Sequence, residues 1–188
     1  MDYRGCSNKK SSMILNNKGF TILETLVATL LLSLVLASVA GLLQNSFQIA
    51  RDYKDSVTAA MLAQEAMEMV RERRDQNIET GDPSRWLEGL VDNPPICNNP
   101  QGCIAKLQND GSVLFDRCTG SSCDKLLFDS TSGVFSYDLG GSLTQFRRSV
   151  YITPIGSDEA EVQVRMEWEG LSGVKNLVLE THLFQWQL

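Results

Sequence analysis

The sequence predicts an α+β protein, one long N-terminal helix followed by a C-terminal antiparallel sheet. Three observations lead there. A charge-free run from Thr25 to Ala50 continues, without proline or glycine from Gln44 to Arg74, into a stretch rich in Ala, Met, Glu, Gln and Arg. Residues Glu161–Trp168 alternate polar and apolar side chains with the period of a half-buried strand. Between these, from Asn77 to about Lys125, periodicity disappears and Cys97, Cys103, Cys118 and Cys123 gather.

The helix is expected from about Thr21 to Asp75. Leu26–Leu43 are almost all apolar, and at 1.5 Å per residue this run spans roughly 27 Å, close to the hydrocarbon thickness of a bilayer. Residues 20–43 therefore read as membrane-spanning and 44–75 as an amphipathic continuation packed under a head. On the second half, Tyr53, Val57, Ala60 and Met61 form one apolar track and Leu62, Ala66, Met69 and Val70 a neighbouring one. Arg71, Arg73 and Arg74 are expected at the helix end, where cations favour the dipole's negative pole. Glu24 is the anomaly, a carboxylate inside the apolar run. At a helix centre such a group costs about 2.5–3.5 kcal/mol, less near the end, and one that persists calls for a partner.

The run GFTILETLVATLLL, with basic residues before Gly19, resembles the leader and cleavage motif of the type IV pilin and pseudopilin superfamily. The resemblance implies a type IV pilin-like fold and cutting between Gly19 and Phe20 by an inner-membrane prepilin peptidase, which also methylates the new amine on Phe20. It implies that Glu24 pairs with the amino terminus of a neighbouring subunit during assembly. The closing pattern, a Val-x-Val-x-x-x-Trp strand, a turn and an apolar strand ending near Trp186, looks like the minor subgroup. A plain single-pass anchor, with Glu24 reaching the headgroups, is the alternative, and it leaves the Gly-Phe junction unexplained. Gly41 stands roughly where major pilins often carry a helix-breaking proline.

Charge fits export. Residues 1–19, the expected leader, hold Arg4, Lys9, Lys10 and Lys18 against Asp2, whereas the remainder has 13 Lys and Arg against 22 Asp and Glu. A basic flank before an apolar segment keeps that end cytoplasmic and places the residues beyond the segment outside the inner membrane. The acidic remainder argues against direct nucleic-acid binding, which wants clustered Lys and Arg. The leader is not an ordinary secretory signal, because the cut precedes the apolar core. Met1 and Met13 both remain open as starts.

Residues 76–125 read as a connecting loop with turns at Asn93-Pro-Pro, Asn98-Asn-Pro-Gln-Gly and Thr119-Gly-Ser-Ser, with Gly81-Asp-Pro-Ser ending the helix and Trp86, Leu87 and Leu90 packing back on it. Losing the leader removes Cys6 and leaves an even four cysteines, as an oxidised exported domain requires. Four cysteines allow three pairings; the local ones, Cys97–Cys103 and Cys118–Cys123, come first. Zinc is the rival, although spacings of C-x5-C and C-x4-C are looser than structural zinc knuckles favour. Residues 126–188 read as the sheet: a hairpin of Leu126–Asp129 and Val134–Asp138, a strand Phe146–Thr153, the strand with Val162, Val164, Met166 and Trp168 facing in, and a return from Val174 to Trp186.

Catalytic chemistry is nearly absent. The single histidine, His182, falls in a strand, and no phosphate loop or G-x-S-x-G elbow occurs. Asp158, Glu159 and Glu161 form a small acidic group that offers too few spaced oxygens for calcium. No cofactor, metal or enzymatic activity is expected. The function predicted is a structural filament subunit, a minor pilin or pseudopilin, with prepilin peptidase, other pilin subunits and the inner membrane as partners. The alternative is an adhesin-like binding module whose contact surface is the Cys97–Cys123 loop and Trp86.

Overall fold

The computed structural model describes residues 19–80, 82–108, 110–137, 140–170 and 173–185. The expected leader with Cys6 and Met13, the expected helix stop at Gly81 and the expected strand end at Trp186 fall outside these. The architecture is the expected one: α1 (Ile22–Thr80), a 3-10 turn (Pro83–Arg85), then strands only. The chain divides into two units between Ser46 and Phe47.

In the first unit every described residue is exposed. The most apolar window has a mean hydropathy of 2.5, and none of it is buried within the chain. Five hydroxyls in this stretch turn back on their own helix. Thr25 donates to Ile22 O at 2.8 Å, Thr29 to Leu26 O at 2.9 Å, Ser33 to Leu30 O and Ser38 to Val35 O at 2.8 Å, and Ser46 to Leu42 O at 2.9 Å. Such bonds let hydroxyls sit in hydrocarbon without an unmet donor. α1 runs through Gly41 as helix, so the glycine does not break it.

In the second unit α1 buries Ala59, Leu62, Ala63, Ala66, Met67, Met69 and Val70. Of the two expected tracks only one is core. Tyr53 is 72 % and Met61 64 % exposed, and Val57 is also exposed. At 100° per residue these three lie on the side opposite Ala59, Ala66 and Val70. The alanines let other core residues approach closely on their own side, and one helix face is all a single sheet can cover. α1 also extends five residues beyond the expected Asp75, so Arg71, Arg73 and Arg74 lie inside it and its last turn carries no basic residue. The extra turn is held from the next segment: Asn77 Nδ2 donates to Trp86 O at 3.0 Å and to Glu88 O at 2.8 Å. Trp86, Leu87 and Leu90 are buried in the same core as α1, as expected.

The segment read as a connecting loop contains a hairpin. Strands β1 (Cys103–Leu107) and β2 (Val113–Arg117) pair antiparallel from Cys103↔Arg117 to Leu107↔Val113. Their turn is closed by Gln108 N donating to Ser112 O at 2.8 Å, with Gly111 at φ 84°, a left-handed conformation that suits glycine. Strands therefore begin at Cys103 rather than Leu126. Five-residue strands with a single buried alternation (Val113, Phe115) are too short to stand out from an irregular, turn-rich stretch.

The remaining strands are β3 (Lys125–Asp129), β4 (Val134–Ser136), β5 (Ser142–Pro154), β6 (Glu159–Gly170) and β7 (Gly173–Phe184). β3 and β4 form the expected hairpin, while β5 is longer than expected. β5 is the hub, pairing with β6 and also with β3 and β1, and all strand pairs are antiparallel. Val162, Val164, Met166 and Trp168 point inward as their alternation required. Unforeseen is Arg148, only 1 % exposed: it donates to Leu62 O and Ala105 O at 3.0 Å each and to the Glu65 carboxylate at 2.9 Å. One guanidinium thus ties α1, β1 and β5 together inside the core.

Candidate processing and assembly segment

Gly19 and Phe20 precede α1, and Phe20 is 78 % exposed. Among the described residues nothing demands glycine at 19. A Cβ built there meets no described atom within 4 Å. Thr21 is the helix cap, its hydroxyl oxygen accepting from Glu24 N at 3.2 Å. Glu24 lies in the first turn, where the dipole favours a carboxylate. The spacing Thr21-x-x-Glu24 is that of a capping box, a signal readable in the sequence and missed there. Glu24 therefore has a local reason to sit at this position besides any intermolecular one.

Away from this segment the other candidate residues do not converge. Cys97–Cys103 and Cys118–Cys123 are disulfides, each with Cα atoms 4.7 Å apart. Cys97 and Cys103 belong to the main core, whereas Cys118 and Cys123 form a satellite cluster with Ile104. Trp86, offered by the sequence as a contact residue, is only 2 % exposed, and its Nε1 donates to Ser157 O at 3.0 Å. Its ring is spent on the core. His182 Nδ1 lies 2.7 Å from the Glu159 carboxylate. Among the described residues no cluster of three or more His, Cys, Asp or Glu is arranged to hold a metal ion.

Residues 14–40 match the family described as the prokaryotic N-terminal methylation motif. The N-terminal segment is of the prepilin type. The prepilin-type match spans Gly19, Phe20, Glu24 and most of the apolar run. The match supports a likeness of this N-terminal segment to the type IV pilin superfamily, whose motif belongs to structural subunits. The long helix followed by an antiparallel sheet is the corresponding pilin-like α+β architecture. No curated protein and no solved structure matches the chain.

Proposed function

We propose that the chain is a structural subunit, a minor pilin or pseudopilin, of a filament assembled at the bacterial inner membrane, of the type IV pilus, type II secretion or DNA-uptake kind. One observation carries this: the methylation motif at 14–40 overlaps a lipid-compatible helix that begins at Ile22, immediately after the Gly19–Phe20 junction. Among the described residues nothing requires glycine at 19, in keeping with a demand imposed by a peptidase. In the membrane, the basic flank stays cytoplasmic and the head lies outside. Hydrolysis between Gly19 and Phe20 frees an amine on Phe20, which the processing enzyme methylates.

That amine bears a positive charge at the helix's positive end, an unfavourable place. A carboxylate from Glu24 of a neighbouring subunit relieves both charges as the helices pack away from water. The binding-module reading loses Trp86, which is buried, and keeps Leu107 and Leu114 as the exposed apolar residues between Cys97 and Cys123.

Intact mass and N-terminal sequencing of the membrane-extracted protein test the proposal. The expected product starts at methylated Phe20; an uncleaved chain refutes it. Gly19→Leu should block cleavage. Glu24→Ala should insert and be cleaved yet assemble poorly, and wild-type incorporation of that variant would refute the pairing.

A further inference from the structure

The stretch of α1 from Phe47 to Lys54 follows the apolar run in sequence and opens the second unit. Phe47, Ile49, Arg51, Tyr53 and Lys54 are all exposed. At 100° per residue these five spread around every side of the helix but one. That side belongs to Asp52, which is half-buried and turned to β7, where Lys175 Nζ donates to its Oδ2 at 2.8 Å. Neither Arg51 nor Lys54 has an ion-pair partner among the described residues. Asp55, one turn on and half-buried, offsets one of their two charges. The free surface of this segment therefore combines apolar and aromatic side chains with a net positive charge.

Position along the chain says what meets that surface. A helix crosses the hydrocarbon core in about 20 residues. Counted from Glu24 at one surface, this length brings Phe47 and Ile49 to the opposite headgroup layer. It also brings Arg51 and Lys54 within a Debye length, about 10 Å, of the phosphates there. Tyrosine is favoured at that level because its ring is apolar and its hydroxyl wet. Long basic side chains bend back to reach it. A second copy presenting the same surface would set Arg51 and Lys54 against like charges.

We propose that Phe47, Ile49, Arg51, Tyr53 and Lys54 form a collar that binds anionic lipid headgroups in the leaflet at this end of the span. Phe47 and Ile49 enter the acyl boundary, Tyr53 stands among the headgroups, and the two cations hold phosphates. Residues 25–50 carry no charge and are longer than the hydrocarbon core requires, so length alone does not set the depth of α1. The collar does. The inference rests on the membrane-spanning reading of α1 but not on cleavage or filament assembly.

The test uses the full chain in vesicles of phosphatidylcholine and phosphatidylglycerol. In Tyr53→Trp the emission of the added indole is read after subtracting the wild-type spectrum. Lipids spin-labelled at the headgroup should quench it more than lipids labelled at the chain end. At equal mole fraction, labelled phosphatidylglycerol should quench about fivefold more effectively than labelled phosphatidylcholine, the factor expected of one net cation near the surface. Adding Arg51→Gln and Lys54→Gln, both exposed changes, should bring the ratio to parity or below. The basic residues within 1–19 are common to both chains, so the difference reads the collar alone. Three results overturn the proposal: equal quenching by the two headgroups, a preference that survives the double change, or quenching lost as the protein is concentrated in the bilayer, the mark of a second copy on this surface. A chain that fails to float with the vesicles overturns the span and the collar together, whereas an uncleaved Gly19–Phe20 junction overturns the processing reading alone.

Discussion

The two units of this chain satisfy the same helix in opposite ways. From Ile22 to Ser46 α1 buries nothing within the chain, and its hydroxyls are satisfied by carbonyls three or four residues back. From Ala59 to Val70 the same helix is held by a core drawn from residues far apart in sequence, with Arg148 bonding to Leu62 O from 86 positions away. One stretch has its surroundings supplied by a membrane and needs only local bonds. The other builds its own apolar surroundings from the sheet. Substitutions should therefore separate them cleanly: the first unit is sensitive to polarity and indifferent to shape, the second the reverse.

The largest expected effect is in the core. Met166→Ala empties a fully buried site and should cost about 4 kcal/mol of head stability in urea unfolding, leaving membrane insertion unchanged. Leu31→Asp should do the opposite, costing about 3 kcal/mol of insertion free energy in a membrane-integration assay with no change in head unfolding. If the head melts earlier in that variant, the two units are coupled and the comparison fails. Replacing Cys97 and Cys103 together by serine opens a loop of separation 6 and should cost about 2 kcal/mol, read as an earlier unfolding midpoint under non-reducing conditions.

Met61→Ser tests the exposed track and should shift stability by no more than about 0.5 kcal/mol in the isolated protein; a large loss would mean that this face is covered. The smallest effect concerns pH. The Ser112 hydroxyl, then its backbone N–H, hold the exposed Asp110 carboxyl below its ordinary value of 3.8. The stabilisation this provides is present above the ordinary value and is lost as pH falls through the lowered one. Asp110→Asn should flatten the acid limb of stability against pH slightly, with the neutral end hardly altered.

Reading the sequence succeeded where structure depends on near neighbours. The apolar run, the alternation of Val162, Val164, Met166 and Trp168, and the two short-range cysteine pairs all arise from residues close together in the chain. It faltered at the helix end, which Asn77 extends by bonding forward to Trp86 O, and at the β1–β2 hairpin, whose strands are too short to show a period.

By itself, then, the sequence determined the lipid-compatible helix, the processing motif and the α+β order, because periodicity, length and spacing are local properties. Tertiary structure alone decided which face of α1 became core, that Arg148 rather than a hydrophobe joins three elements, and that Trp86 is interior. Each of these depends on which distant segments meet, and the free energy of meeting belongs to pairs of residues that no local pattern records.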